Sequence, residues 1–301
     1  MHRTYAAIFV RLLVLAVTLS TLTGCPPTSP RPGADLAAPA QPPAPTYAEI
    51  AQRYNANIAR IDRLRSTAEI DLKWYEGEGD RREKHFHSGE GHVILRLPDC
   101  VALDVGKLGQ IGLWAGCNAT HYWLFDLQEE PKTVYFGRYE SAGAADLLAA
   151  PIRPRDLPML LGLQPLPIDD PKSNATVVWD GAELAVRPPD GRTRLILNPH
   201  TAMAIRIELL DEDGQTSLIA SLSLPSRVRL RGSDLPSRDW PQIATHIQIH
   251  LVAADATMRI RLQDLSAGPD EDRIKPKLFD LDYLADEHFK IDAANRIDLD
   301  Q

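Results

Sequence analysis

Apolar and polar side chains alternate along most of the chain between residues 68 and 262. In the first such run, Ala68, Ile70, Leu72 and Trp74 are each separated by a polar residue. Similar runs begin near residues 93, 123, 195, 205, 228, 247 and 258. Because successive side chains of a strand point to opposite faces, this pattern is typical of antiparallel strands with one face in water. About ten such strands predict one broad sheet, which would be too wide to stay flat.

Two regions of the sequence have helical character instead. Thr46-Tyr47-Ala48-Glu49 has the form of a capping box. Apolar residues follow it at helical spacing, namely Ile50, Tyr54, Ile58, Ile61 and Leu64. They predict an amphipathic helix of about 18 residues. In the proline-rich middle of the chain, residues 146–150 and 156–163 are expected to form short helical turns. The predicted fold class is therefore α+β, with a large curved antiparallel sheet wrapped around an N-terminal helix and short middle helices.

The N-terminus carries the pattern of an export signal. Residues 1–11 contain Arg3 and Arg11 but no acidic residue, and residues 12–22 are mostly apolar. An apolar run of this length is typical of a signal peptide and is too short to span a membrane comfortably. Leu22-Thr23-Gly24 precedes Cys25 and resembles a bacterial lipobox, in which the cysteine is acylated and becomes the new N-terminus. We predict a signal peptide over residues 1–24 and lipidation of Cys25. The alternative is an ordinary secretory signal that ends near a cysteine.

The chain that follows Cys25 is acidic and begins with a tether. Loss of residues 1–24 removes two arginines, so the net charge moves from −8 to −10. Without a lysine-rich tract, this charge argues against nucleic acid as a partner and against electrostatic docking to anionic membranes. Residues 26–45 contain eight prolines, and residues 25–45 are expected to form an extended tether. We therefore expect membrane contact through the acyl chains on Cys25.

Cys100 and Cys117 remain after lipidation, and export would place them where disulfides persist. A hairpin that turns at Leu108-Gly109 would place the two cysteines opposite each other, because paired residue numbers would sum to 217. In the same register, one face of the hairpin would carry the side chains of Val101, Leu103, Val105 and Trp114. We predict a disulfide between Cys100 and Cys117, with two free buried thiols as the alternative. Without a CxxC motif, neither a redox site nor a metal site is indicated.

The histidines give no convincing metal or catalytic site. His85 and His87 are two residues apart, so on a strand they would point the same way, as metal ligands must. No cysteine or carboxylate at a suitable spacing completes a ligand set, which favours a solvated strand face. His246 and His250 are four residues apart, and on a strand that separation is about 13 Å. We therefore predict no metal, no cofactor and no enzymatic activity.

The order of these features resembles the LolA/LolB-like lipoprotein carriers and receptors. The local resemblance lies in Leu64-Arg65-Ser66-Thr67-Ala68-Glu69-Ile70, Leu95-Arg96-Leu97-Pro98-Asp99 and Tyr122-Trp123-Leu124-Phe125-Asp126. It implies an incomplete barrel around helices, with an apolar cavity for acyl chains. It spans roughly residues 46–262, and we delimit a domain at 46–265, followed by an acidic C-terminal extension at 266–301. In that extension, residues 278–281 are expected to add a last strand before the end frays.

The resemblance implies a periplasmic lipoprotein, anchored in the cell envelope, that binds lipid or lipoprotein acyl chains and serves their traffic to the outer membrane. By resemblance to enterobacterial sorting, Pro26 after the lipidated cysteine favours the outer membrane. The large inward residues of the sheet are the expected cavity lining: Leu72, Trp74, Leu95, Leu103, Trp114, Trp123, Phe125, Leu195, Ile207 and Ile249. The alternative is a non-enzymatic envelope scaffold that binds a protein partner and holds no lipid. The two differ in one structural property, the presence of a cavity on the apolar face.

Overall fold

The structure is a computed structural model that describes residues 41–76, 82–128, 130–139, 153–168, 174–252, 254–268 and 270–300. The predicted signal peptide, Cys25, nearly all of the tether and the helical turn at 146–150 lie outside the described residues. In the described part of the chain, no helix is long and apolar enough to cross a membrane.

The described residues from 44 onward form fifteen strands and three short α-helices. The first half contains α1 (Tyr47–Ile58), β1 (Arg63–Glu76), β2 (Glu83–Arg96), β3 (Cys100–Lys107), β4 (Gln110–Cys117), β5 (His121–Asp126), β6 (Thr133–Arg138) and α2 (Leu157–Leu160). The second half contains β7 (Thr176–Asp180), β8 (Glu183–Arg187), β9 (Thr193–Leu197), β10 (Ala204–Leu210), β11 (Thr216–Arg227), β12 (Arg229–Leu230), β13 (Gln242–Leu251), β14 (Ala256–Ala267), α3 (Leu281–Tyr283) and β15 (Arg296–Asp298).

All fifteen strands belong to one sheet. Its order is β15-β6-β5-β4-β3-β2-β1-β14-β13-β11-β10-β9-β8-β7, with β12 beside β14. Strands β1 to β6 form a meander on one side, and the antiparallel pair of β1 with β14 joins it to the second half. β12 and β15 are parallel to their neighbours, so the sheet is mixed and has more strands than predicted. The α+β class and the unclosed, incomplete barrel are confirmed.

Helix α1 packs on one face of this sheet, which we call the inner face. The predicted capping box is present, because the Thr46 hydroxyl accepts from the Glu49 backbone N–H and the Glu49 carboxylate accepts from the Thr46 N–H. The helix has 12 residues rather than about 18, and Ile61 continues the buried stripe beyond its end. Ile50 and Tyr54 are buried in the inner core.

Two asparagines fasten α1 to the rest of the inner face. The Asn55 side chain bonds both the N–H and the carbonyl of Leu166, each at 2.8 Å. The Asn57 side chain does the same with Gln242, at 3.1 and 2.7 Å. Each amide thereby satisfies a donor and an acceptor that would otherwise be unpaired. These bonds hold α1 over the second half of the sheet and beside α2.

The C-terminal residues cover the opposite, outer face of the first half of the sheet. Residues 276–279 form a 3-10 turn, followed by α3 and a helical turn at Leu284–His288. This segment completes a second core whose buried members are Ile94, Cys100, Ala102, Trp114, Trp123, Phe125, Val134, Ile274, Phe279, Leu284, Ala285 and Ile291. The predicted strand at 278–281 and the fraying end are therefore wrong. The last strand is β15 instead.

The register of the β3–β4 hairpin differs from the prediction at a single bulge. Next to the turn, Gly106 pairs with Ile111 as expected, but Val105 pairs with Leu113, which leaves Gly112 as an extra residue. Such a bulge shifts every later pair by one position. Val101 therefore pairs with Cys117, and Trp114 moves to the outer face, away from Leu103.

The same shift separates the two cysteines. Cys100 lies in the outer core and Cys117 in the inner core, and both are free. The disulfide predicted from the hairpin is thus absent from the structure. Burial raises the pKa of the Cys117 thiol to about 11, so the thiol is protonated at neutral pH and is a poor nucleophile.

Candidate functional site

A large cavity opens on the inner face of the first half of the sheet. Its volume is about 610 Å³, within the range typical of sites for small apolar ligands. Strands β14, β1, β2, β3, β4 and β5 supply its floor, the turn before α2 supplies Pro154, and the first residue of α2 supplies Leu157. Its aliphatic lining consists of Ile70, Leu72, Val101, Leu103, Val105, Ile111, Leu113, Ala115, Leu124, Leu127, Leu157, Met258 and Ile260.

The cavity lies between the inner face of the first half of the sheet and the helical turn that leads into α2. Helices α1 and α2 pack into the inner core, which runs from the second half of the sheet to Val93, Leu95 and Cys117 in the first half. In β2, the inward positions that follow His87 are Gly89 and Gly91 rather than large residues. A side chain at Gly89 would come within 2.5 Å of the Val105 Cγ1. Because glycine has no side chain, no atom of residue 89 extends into the cavity.

Polar residues gather at one end of the cavity. The β3–β4 hairpin contributes Lys107 and Gln110, β2 contributes His87, and the segment after β5 contributes Gln128. Leu108 stands at the tip of the same hairpin, fully exposed and with a positive φ of 53°. We call this end, defined by His87, Lys107, Gln110 and Gln128, the mouth. It combines hydrogen-bond donors with an exposed apolar tip.

A stack of three rings stands beside the mouth. The Trp74 ring lies nearly parallel to His85 and to His87, with centroid separations of 5.1 and 5.2 Å. The indole therefore packs against both imidazoles. In the described part of the chain, no group of three or more potential ligands could hold a metal ion.

The structure brings only two of the ten predicted lining residues into the cavity, Leu72 and Leu103. Trp114, Trp123 and Phe125 point to the outer face, beneath the C-terminal segment. Four more of the predicted lining residues are buried in the inner core and do not reach the cavity, namely Leu95, Leu195, Ile207 and Ile249. Trp74 is partly buried at the edge of that core.

Sequence reasoning missed most of the true lining. Val101, Val105 and Leu113 line the cavity, and their alternation was visible in the sequence. The two valines are smaller than the residues expected to line the cavity, which are leucine, isoleucine and aromatic side chains. Apolar residues alternate with polar ones in the same way whether they face a cavity or pack beneath a covering segment, as Trp114 and Trp123 do. The alternation alone therefore does not show which face of the sheet holds the cavity.

The comparisons with known proteins agree with this architecture. No protein-family model and no curated protein matches the chain. Among solved structures, the chain is similar to an outer membrane lipoprotein-sorting protein domain from Vibrio parahaemolyticus, with a TM-score of 0.52 and 14% identity over 79% of this chain and 97% of that one. It is also similar to a LolA superfamily protein from Nitrosomonas europaea, with a TM-score of 0.49 and 10% identity over 80% and 100%. The fold is LolA/LolB-like, and at these identities the likeness concerns the fold alone.

Proposed function

We propose that this protein binds the acyl chains of a lipid or lipoprotein in the inner-face cavity, as a non-enzymatic lipoprotein of the periplasm. The observation that carries the proposal is the cavity itself, about 610 Å³ in volume and mainly aliphatic in lining. A solid inner face would have supported a scaffold instead. The exposed Leu108 at the mouth is suited to receive apolar chains from a membrane.

The energetics of such a site are those of apolar transfer. Burial of a methylene group contributes about 0.8 kcal/mol. Ten buried methylenes therefore contribute about 8 kcal/mol, which corresponds to micromolar affinity before the costs of association. The cavity needs no charged group to hold a chain, so its aliphatic lining is sufficient for retention.

Filling the cavity is expected to abolish uptake. Leu103→Trp places a bulky ring into the space above β3, so the bound lipid should fall at least tenfold while the fold persists. Native mass spectrometry of the purified protein, after incubation with phospholipid vesicles, measures the lipid-bound fraction. Leu224→Trp is the matched control, because Leu224 is 60% exposed and lies outside the cavity. Equal lipid uptake by the Leu103→Trp protein and its parent would contradict the proposal.

We further propose that Cys25 carries the membrane anchor, in the outer membrane, with residues 26–45 as the tether. Cys25→Ser is expected to move the protein from the membrane fraction to the soluble periplasmic fraction, because two acyl chains are lost. Fractionation followed by immunoblotting measures this shift. Retention of the serine variant in membranes would show that acylation is not the anchor.

The outer face of the second half of the sheet favours one alternative, an envelope scaffold that binds a protein partner. This face is polar and cross-linked by ion pairs, such as Arg261 with Glu69 at 2.5 Å and Arg194 with Asp180 at 2.9 Å. A scaffold of this kind would keep its function in the Leu103→Trp protein, whereas a lipid carrier would lose it.

A further inference from the structure

We propose that the lipid taken by this cavity has an anionic head group, a phosphate or a carboxylate, held at the mouth by Lys107. This inference rests on the proposed function, since it concerns the head group of a lipid whose chains occupy the cavity. The protein would then bind an anionic lipid more tightly than a neutral amphiphile with the same acyl chains.

The first observation is the sign of the charge around the cavity. The whole chain has 41 acidic residues and a net charge of −8. Of the described residues, 22 line the cavity; none of these is acidic, and the two ionisable ones are Lys107 and His87. On an acidic protein, an acid-free cavity with a cation at its mouth favours an anionic ligand over a cationic one.

The second observation is the state of the donors at the mouth. The Lys107 ammonium forms no ion pair or hydrogen bond with the described residues, and the side-chain amides of Gln110 and Gln128 donate to no atom there either. Elsewhere, Lys73 lies over the Tyr75 ring and Lys277 donates to the Tyr283 hydroxyl. The donors at the mouth are thus available to a ligand.

These donors match the acceptor pattern of an anionic head group. A phosphate or carboxylate oxygen accepts a charge-assisted hydrogen bond from the ammonium, and the amide N–H groups of Gln110 and Gln128 can serve further oxygens. Chains in the aliphatic interior would leave the head group at the polar end. The net negative charge of the protein opposes attraction to an anionic membrane surface, so the preference belongs to the mouth rather than to the whole surface.

The test compares lipids that differ only in head group. The purified mature chain is incubated with dioleoyl lipids, namely phosphatidylglycerol, phosphatidylethanolamine and diacylglycerol, and separately with oleate as the carboxylate. Native mass spectrometry counts the bound molecules. We expect phosphatidylglycerol to bind about fivefold better than diacylglycerol, as one partly solvated charge-assisted contact would give. Oleate separates a carboxylate source from a phosphate source.

Lys107→Gln is expected to remove the preference and to leave diacylglycerol binding unchanged. Lys84→Gln is the matched control, because Lys84 is an exposed lysine of β2 outside the cavity lining. Equal binding of phosphatidylglycerol and diacylglycerol, or an unchanged preference in Lys107→Gln, would overturn the inference and leave the proposed function intact. If none of the lipids binds, the proposed function fails as well.

Discussion

Removal of residues 276–301 is expected to abolish the cooperative unfolding of the whole sheet. The deletion would strip Phe279, Leu284 and Ile291 from the outer core. It would also expose Trp123 and Phe125, which are now fully buried. Large aromatic side chains exposed together on a sheet form an apolar patch that soluble proteins rarely tolerate. The truncated chain should therefore aggregate or unfold at a much lower urea concentration.

A point variant measures the same contact without deleting backbone. Phe279 is 4% exposed, and the Cζ atom of Arg96 lies over its ring, 5.6 Å from the ring centroid. Phe279→Ala should lower the free energy of unfolding by about 3–5 kcal/mol, as truncation of a buried phenylalanine does. Urea titration followed by tryptophan fluorescence gives this value. Leu224→Ala, at an exposed site, should change it by less than about 0.5 kcal/mol. A truncated chain as stable as its parent would show that the segment is dispensable.

Strands and helices were predictable from the sequence where one face of the element is apolar and the other is polar. In β1, Ile70 and Leu72 face the inner side and charged residues face outward, so the period of two was readable. The capping box of α1 was readable because its two hydrogen bonds are local. The alternation failed in the first part of β2, where His85, His87 and Gly89 occupy inward positions. The pattern is therefore weak in this stretch of β2, although β1, β3 and β4 keep it along the same cavity.

Two other features depended on distant parts of the chain. Trp123 and Phe125 alternate as core residues do, but the choice of face depends on the C-terminal segment that covers the outer side. That segment is acidic overall, and its many apolar residues have no simple period. The bulge at Gly112 was also not predicted, because a glycine inside a strand is consistent with a bulge but does not specify one. The cavity lining was therefore only partly predictable.

Glu271→Gln is expected to destabilise the protein by about 3 kcal/mol at neutral pH. The Glu271 carboxylate is fully buried, and it accepts from Arg273 Nε at 2.6 Å, from Arg273 Nη2 at 2.7 Å and from the Ser266 hydroxyl. Arg231 forms an ion pair with it, with Nε 3.0 Å from Oε2, and donates its Nε–H to Ser266 Oγ. Breaking a buried ion pair by removing one partner typically costs 3–5 kcal/mol. Because the side chains of Arg231 and Arg273 are 38% and 43% exposed, water can hydrate them in the variant, which favours the lower end of this range.

The pH dependence of this effect identifies its cause. The hydrogen bonds from Arg273, followed by that from Ser266 and the charges of both arginines, lower the pKa of Glu271 from its ordinary 4.5 to about 2. Since the folded pKa lies below the unfolded one, the ionised carboxylate stabilises the fold above pH 4.5, and this contribution is lost as pH falls toward 2. A shift of this size corresponds to about 3 kcal/mol at pH 7 and roughly half of that at pH 3.

Urea unfolding of the parent and of Glu271→Gln, at pH 7, 5 and 3, measures the difference in unfolding free energy at each pH. We expect this difference to stay nearly constant from pH 7 to 5 and to shrink by about half at pH 3. Glu212→Gln is the control, because Glu212 is 93% exposed and only 3.8 Å from Arg192, so its removal should be nearly neutral at every pH. If the difference for Glu271→Gln does not change with pH, the loss arises from packing, and the carboxylate charge does not hold the end of β14 to the start of the C-terminal segment.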